Sequence, residues 1–257
     1  MGRGGFSEIV STMILTSAIL VIVIIAMSSA LTAVRVQVDL SEFEHVKTAL
    51  TMFSQVIEDV ASKPGSAGFV RFNIQSGRLN IVQNGTLTVT VTDGVYTWSS
   101  VKPIYVVYYD AGPNISTTSE DLRGGWNLIV RDLSQPIAHV YTVQRGGVKA
   151  ILDFRRVKAV SLGTLTYRNV DGGLGVLGVI ELTAITLSYG GIRGAEKLNL
   201  KAQNENVSVI QLPQLLKGSV TVTVEADGFS ESMLFTFSDV DGVMVNIVEA
   251  SVKVFTV

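Results

Sequence analysis

Residues 9–34 read IVSTMILTSAILVIVIIAMSSALTAV, a run of 26 residues without one charged side chain. As a helix it rises about 39 Å at 1.5 Å per residue, more than the roughly 30 Å of a bilayer's hydrocarbon core. A buried helix of a soluble domain seldom reaches that length without a polar face. The run therefore predicts a membrane segment. A conventional signal peptide cut near Ala30 or Ala33 fits poorly, because its apolar region spans only about 7–15 residues. The basic flank is slight: Arg3 and the amino terminus lie on one side, and Arg35 with Asp39, Glu42 and Glu44 on the other. It favours an N-terminus inside and the remainder outside.

The character then changes without a break. No Gly or Pro occurs between Phe6 and Lys63, and residues 35–63 read RVQVDLSEFEHVKTALTMFSQVIEDVASK. Phe43, Val46, Leu50, Phe53, Ile57 and Val60 recur at alternating steps of three and four, the stripe of one helix face. Glu42, Lys47, Thr51, Gln55, Glu58 and Lys63 fall on the other. Lys63-Pro64-Gly65 stops the helix. The pattern predicts one long helix from about Phe6 to about Ser62, roughly 85 Å in length. Asp39-Leu40-Ser41 offers a second N-cap, and with it a bend or a separate amphipathic helix.

From Ala67 the period is two. Strands are expected at 69–74, 78–83, 86–92, 104–109, 128–131, 138–143 and 148–154, then at 157–169, 174–188, 197–202, 207–211, 219–225, 232–237 and 243–257. Ser76-Gly77, Asn84-Gly85, Asp93-Gly94, Gly146-Gly147, Asp171-Gly172, Asp227-Gly228 and Asp241-Gly242 punctuate them, and Asn-Gly and Asp-Gly favour hairpin turns. Ala111 to Gly125 reads as a polar surface loop. The fold class is α+β: a long hydrophobic N-terminal helix followed by a β-rich, sandwich-like extracellular head of two lobes. The divisions are a leader at 1–5, the helix at 6–65, and β-sandwich lobes at 66–155 and 156–257, with a seam at Arg155-Arg156. One continuous larger sandwich is the competing reading, because no linker separates the halves. Residues 66–257 are expected to fold alone.

Hydrophobic residues make up 47% of the chain and charged ones only 16%, against about a quarter in average soluble chains. The net charge of −2 gives no basic excess to hold nucleic acid, and the absence of cysteine excludes thiol chemistry, thiolate metal sites and disulfides. Gly173-Leu174-Gly175-Val176-Leu177-Gly178 has the letters of a dinucleotide loop, but an Asp-Gly turn precedes it and a β-branched run follows, so it reads as a glycine-rich hairpin. Asp239-Val240-Asp241-Gly242 resembles the start of a calcium loop without its later ligands and reads as a hairpin turn, with a weak calcium site the minor alternative. His45 and His139 belong to no metal-ligand spacing, and Glu58-Asp59 and Glu120-Asp121 read as solvated surface. No cofactor, metal or catalytic residue is predicted, and the chain is read as non-enzymatic. Asn84, Asn114 and Asn206 open N-glycosylation sequons, with Asn114 in the polar loop the best acceptor.

Met1-Gly2-Arg3-Gly4-Gly5 precedes Phe6-Ser7-Glu8 and the apolar run. This arrangement resembles the class III leader of archaeal type IV pilin-like and archaellin-like proteins. The resemblance implies that a prepilin-type peptidase cuts after Gly4 or Gly5, with Arg3 the basic residue before the cut and Phe6 at or near the new N-terminus. It implies a helix whose first half is hydrophobic and whose second half packs on a β-rich head. It also implies an acidic residue, here Glu8, that neutralises a neighbour's amine on assembly. The family's acid is often fifth in the mature chain, whereas Glu8 would be third or fourth. The resemblance covers the first quarter of the chain. The implied function is a structural subunit of a cell-surface filament, self-associating through its N-terminal helix after storage in the lipid bilayer. The alternative is a permanently membrane-anchored extracytoplasmic binding or accessory module that does not polymerise.

Overall fold

The structure, a computed structural model, describes residues 4–111, 115–144, 146–168, 173–191, 197–212 and 216–256, with side chains from residue 10 onward and that of Lys197 excepted. The first element, α1 (Gly4–Ala61), is one helix of 58 residues, about 87 Å long. It runs through Asp39-Leu40-Ser41 without interruption, so the second cap is not used. Three polar side chains inside the apolar run are satisfied within the helix. Thr16, Ser17 and Thr32 each donate a hydroxyl hydrogen bond to the carbonyl four residues back, at 2.7, 2.8 and 3.0 Å.

The helix ends where the sequence places its stop. Gly65 takes a positive φ of 74°, and the Lys63 amide closes a last turn on the Val60 carbonyl. The last two carbonyls are also met from the head: Asn204 Nδ2 donates to Val60 O at 2.8 Å and to Ala61 O at 3.1 Å.

Among the described residues thirteen strands follow: β1 (Ala67–Asn73), β2 (Arg78–Thr92), β3 (Thr97–Asp110), β4 (Asp121–Arg123), β5 (Ile129–Val130), β6 (His139–Gln144), β7 (Val148–Asp153), β8 (Val157–Arg168), β9 (Leu174–Tyr189), β10 (Lys197–Gln211), β11 (Ser219–Ala226), β12 (Phe229–Thr236) and β13 (Gly242–Thr256). They form a six-stranded sheet ordered β1-β10-β13-β9-β8-β5 and a seven-stranded sheet ordered β12-β11-β2-β3-β7-β6-β4. All pairings are antiparallel except β13 with β9 and β5 with β8. The loop expected from Ala111 to Gly125 contributes the short edge strand β4.

The turn signals divide by use. Asp93-Gly94, Gly146-Gly147 and Asp227-Gly228 close the hairpins β2–β3, β6–β7 and β11–β12. At the last, Asp227 and Gly228 both have positive φ, 51° and 81°, as a two-residue type I′ turn requires. Asn84-Gly85 is not a hairpin. It is a bulge within β2, with Gly85 at φ 87°, where Gln83 pairs Tyr105 and Thr86 pairs Pro103. Pro103 has no amide to donate, so the ladder slips there and the two expected strands become one. A bulge at Asn204–Asn206 merges two expected strands into β10 in the same way. Ser76-Gly77 and Asp241-Gly242 carry the chain from one sheet to the other. Asp171-Gly172 lies outside the described residues.

The division into lobes at 66–155 and 156–257 is corrected by the topology. β1 and β5 pair into a sheet otherwise built after residue 156, and β11 and β12 into one otherwise built before it. Arg155 and Arg156, where the seam was expected, are 8% and 3% exposed. Arg155 Nε donates to Asp153 Oδ2 at 2.8 Å, while Arg156 donates to the carbonyls of Asn127 and Pro136 at 2.8 and 2.9 Å. The head does hold two hydrophobic clusters, but they succeed each other along the long strands rather than along the chain. One joins Leu79, Val107, Leu152, Leu200 and Val252 to the helix stripe. The other joins Val89, Ile104, Ile180, Val222 and Val245 at the far end.

Phe43, Val46, Leu50, Phe53, Ile57 and Val60 are all buried, none more than 5% exposed, and Phe53 meets Phe72 edge to face at 6.2 Å. Each such side chain contributes about 1.5–3 kcal/mol by burial. Together they match the whole net stability of an ordinary domain, about 5–15 kcal/mol. The earlier expectation that 66–257 folds alone is therefore replaced. A chain of residues 36–257 is expected to be soluble, rich in strand by circular dichroism, and to unfold in one transition. A chain starting at residue 66 is expected to bind a hydrophobic dye and to show no such transition. Equal melting of the two would contradict the role given to the stripe.

Candidate functional site

The two halves of α1 meet different surroundings. Met13, Ile14, Leu15, Ile22, Ile25 and Met27 are each between 61 and 66% exposed, and among the described residues nothing in the head covers the apolar run. The helix is long and apolar enough there to cross a membrane. Apolar surface of that extent, present all round the helix, needs an apolar covering outside the chain, either lipid or other apolar helices.

Two acids tie the second half of the helix to the head. Glu42 is 6% exposed. Its carboxylate accepts hydrogen bonds from the amides of Gln75, Ser76 and Gly77, the Ser76 hydroxyl at 3.0 Å and the Tyr109 hydroxyl at 2.6 Å. Burial pushes its pKa up, but these donors outweigh burial and hold it below the usual carboxylate value. Burial and the neighbouring Glu42 carboxylate push the Tyr109 hydroxyl the other way, so it stays a donor. Gly77 is required by space: a Cβ there would lie 2.1 Å from the Tyr109 ring.

Less than one turn before the helix end, Glu58 repeats the device. It accepts from the amides of Ile137 and Ala138 at 2.7 and 2.8 Å and pairs with Arg123, which also donates to Ser54 at 2.6 Å. Lys47 bonds Glu44 at 2.9 Å and lies 3.6 Å from Glu120.

A network of ionisable and aromatic side chains adjoins this junction. His139, fully buried, shares a hydrogen bond of 2.9 Å between Nε2 and Asp121 Oδ1, and its ring stacks on Tyr141 at 4.4 Å. Trp126 packs edge-on to His139 at 4.7 Å, and the Arg155 guanidinium lies over both Trp126 and Tyr141. Arg155 also donates to the Tyr141 hydroxyl at 3.0 Å. His139 Nδ1 is buried with no hydrogen-bond partner. Burial lowers the His139 pKa; Asp121 and Asp153 oppose this, and Arg155 reinforces it. The neutral ring donates to Asp121, and a second proton would place an unpaired N–H next to a guanidinium.

The structure places the sequence-derived residues as follows. Arg3 and Asn114 lie outside the described residues, and of Gly4, Gly5, Phe6 and Glu8 only the helical backbone is described. Asn84 and Asn206 are exposed at the bulges of β2 and β10. The glycine-rich run at 173–178 enters β9, where Gly175 and Gly178 abut the rings of Tyr167 and Phe237. Asp241 Oδ2 accepts from the Val176 amide at 2.8 Å, and no cluster of three potential metal-ligating residues occurs among the described residues. His45 is exposed. Glu42, assigned to the face opposite the stripe, is corrected to a buried anchor, and Glu58, read as solvated surface, to a half-buried one. Both sit within one turn of stripe residues, the only signal that could have found them. No protein-family model, curated protein or solved structure matches the chain.

Acid is expected to loosen this junction in two steps. The folded pKa of His139 lies below its unfolded value of 6.5, so its contribution is complete above that pH and declines as pH falls from there to the folded value. Glu42, lowered from 4.5, contributes above that pH and loses its effect as pH falls through its folded pKa. Stability measured against pH should therefore fall first below about pH 6.5 and again below about pH 4.5. His139→Phe should remove the first fall. Glu42→Gln should cost about 3 kcal/mol at pH 7 and flatten the second. A Glu42→Gln chain as stable as the parent at pH 7 would contradict the anchor.

Proposed function

We propose that the chain is a pilin-like structural subunit of an archaeal cell-surface filament that assembles through its N-terminal helix. The observation that carries the reading is the continuity of α1. One helix is bare and apolar over its first half and locked by the carboxylates of Glu42 and Glu58 to a β head over its second. The bare half is stored in the bilayer with the N-terminus inside and the head outside. On assembly it exchanges lipid for identical helices. Because lipid is as apolar as the helix, close packing and not water exclusion drives that exchange. The head forms the outer wall, and the locked junction transmits its orientation to the core. The partners are copies of the same chain, a prepilin-type peptidase and the bilayer. The protein turns over no substrate.

A permanently anchored extracytoplasmic module would use the same bare half as a simple membrane anchor. The two readings part at the leader. In the filament reading the mature chain begins at Gly5 or Phe6, and Arg3→Glu, or bulky replacement of Gly4 and Gly5, leaves the precursor uncut and abolishes filaments in sheared surface material seen by electron microscopy. Glu8→Gln leaves cleavage intact and reduces assembly, because a new amine then stays unneutralised in a low-dielectric core. Mass spectrometry of protein from its native membrane showing a chain that begins at Met1 or Gly2 would overturn the filament reading and leave the anchor.

A further inference from the structure

The outer face of the seven-stranded sheet, at the end farthest from the helix, carries a regular array. Pairing across β3, β2, β11 and β12 sets side chains in rows. The first row is Thr97, Thr92, Thr221 and Leu234; the second is Ser99, Thr90, Thr223 and Ser232. The third is Val101, Thr88, Glu225 and Ser230. Nine positions carry hydroxyls and one a charge. Neighbouring strands lie about 4.8 Å apart and alternate residues repeat about every 6.8 Å, so the array covers roughly 14 by 14 Å. Every member is at least partly exposed, and each row backs onto the second hydrophobic cluster through Val89, Val91, Val222 and Val224.

The array is preorganised. Thr92 and Thr97 hydroxyls lie 2.9 Å apart, as do Thr223 and Ser232, and Thr90 donates to Ser99 at 3.4 Å. The β-branched threonines lose little rotamer freedom on contact. At the third row the face deepens into a cleft of about 340 Å³. Thr86, Thr88, Glu225 and Ser230 supply its polar walls and Phe229, 68% exposed, its apolar one. Asp227 at its rim is 3.6 Å from Arg155.

We propose that this face and cleft bind an uncharged polysaccharide. A solvent-facing sheet ending in an edge strand ordinarily carries lysines or other charges along it, as protection against pairing. The outward side of β12, Ser230, Ser232, Leu234 and Thr236, carries none. A polyanion meets only the carboxylates of Glu225 and Asp227 at the cleft, with no exposed cation in the rows to neutralise it. A protein partner finds too little contiguous apolar surface, since Val101 and Leu234 stand at opposite corners. A neutral sugar chain fits. Its repeating hydroxyls meet repeating donors and acceptors, its C–H faces lie on Phe229, and Glu225 accepts the strongest hydrogen bonds. Weak contacts repeated along one polymer then add as avidity. The site lies on the part of the head remote from the membrane-crossing half, where an external polymer has access.

The test uses the full chain dispersed in detergent micelles, so that neither leader cleavage nor assembly affects the result. Retention is measured on uncharged polysaccharides (a β-glucan, a mannan and a galactan) and on charged ones (polygalacturonate and heparin). The parent is expected to be retained on at least one uncharged polymer and on neither charged one. Thr90→Glu with Thr223→Glu should weaken retention at least tenfold without changing the melting temperature. If that pair lowers the melting temperature, Glu225→Ala and Phe229→Ser, both at exposed positions, take its place with the same expected loss. Retention on none of the uncharged polymers, tighter binding to a charged one, or undiminished binding by folded variants would each overturn the proposal.

Discussion

Six apolar side chains on one helix face close the near core of the head, and the rest of the molecule is arranged around that closure. Two sheets alone leave the cluster around Leu79, Val107, Leu152 and Leu200 without a lid on the helix side. The lid is supplied by a segment that continues into an apolar run long enough to cross a bilayer. Head and apolar run are therefore not separate modules joined by a linker. The helix is an internal part of the head on one side of Asp39 and an unsupported rod on the other, so the head fixes where the rod points.

Hydrophobic contact alone would let a helix slide or rotate in its groove, since burial is non-directional. Directional interactions at each end of the packed segment prevent that. Glu42 gathers donors from the crossover between β1 and β2 and from β3, Glu58 gathers them from the segment entering β6, and Asn204 meets the last carbonyls from β10. Glu42 and Asn204 are buried and Glu58 half-buried, and removing one partner of each leaves the other unsatisfied, so each specifies position more strongly than it adds net stability. Both sheets take part, which couples helix placement to the integrity of the whole sandwich.

Much of this was legible in the sequence for physical reasons that can be named. The spacing Phe43-Val46-Leu50-Phe53-Ile57-Val60 allows one helix face and little else, and Asp227-Gly228 sits where both residues need positive φ. What failed was reading that depends on the partner across space. Asn84-Gly85 has the letters of a hairpin turn. Whether it turns or bulges depends on the strand across from it, where Gln83 pairs Tyr105 and Thr86 pairs Pro103. Arg155-Arg156 has the composition of a surface seam until Asp153 and two distant carbonyls are known to receive it. Strand order in the two sheets is likewise invisible to local pattern, so one sandwich with two successive cores looked like two sandwiches in series. The hydroxyl array was present as alternating threonines in 86–92 and 221–223, but only registration of four strands makes it a surface.

For a filament subunit or an anchored module, the consequence is mechanical. A rod held by its own head passes orientation between the membrane side and the outer face, whereas a hinge at Asp39-Leu40-Ser41 would uncouple them. The distance between spin labels at Ser29 and Thr48, measured by pulsed electron resonance on the full chain in lipid nanodiscs, tests this directly. Nineteen residues of unbroken helix give a single narrow distribution centred at about 29 Å between backbone positions. A broad or two-peaked distribution reaching clearly shorter distances would show a bend between the halves and contradict the account.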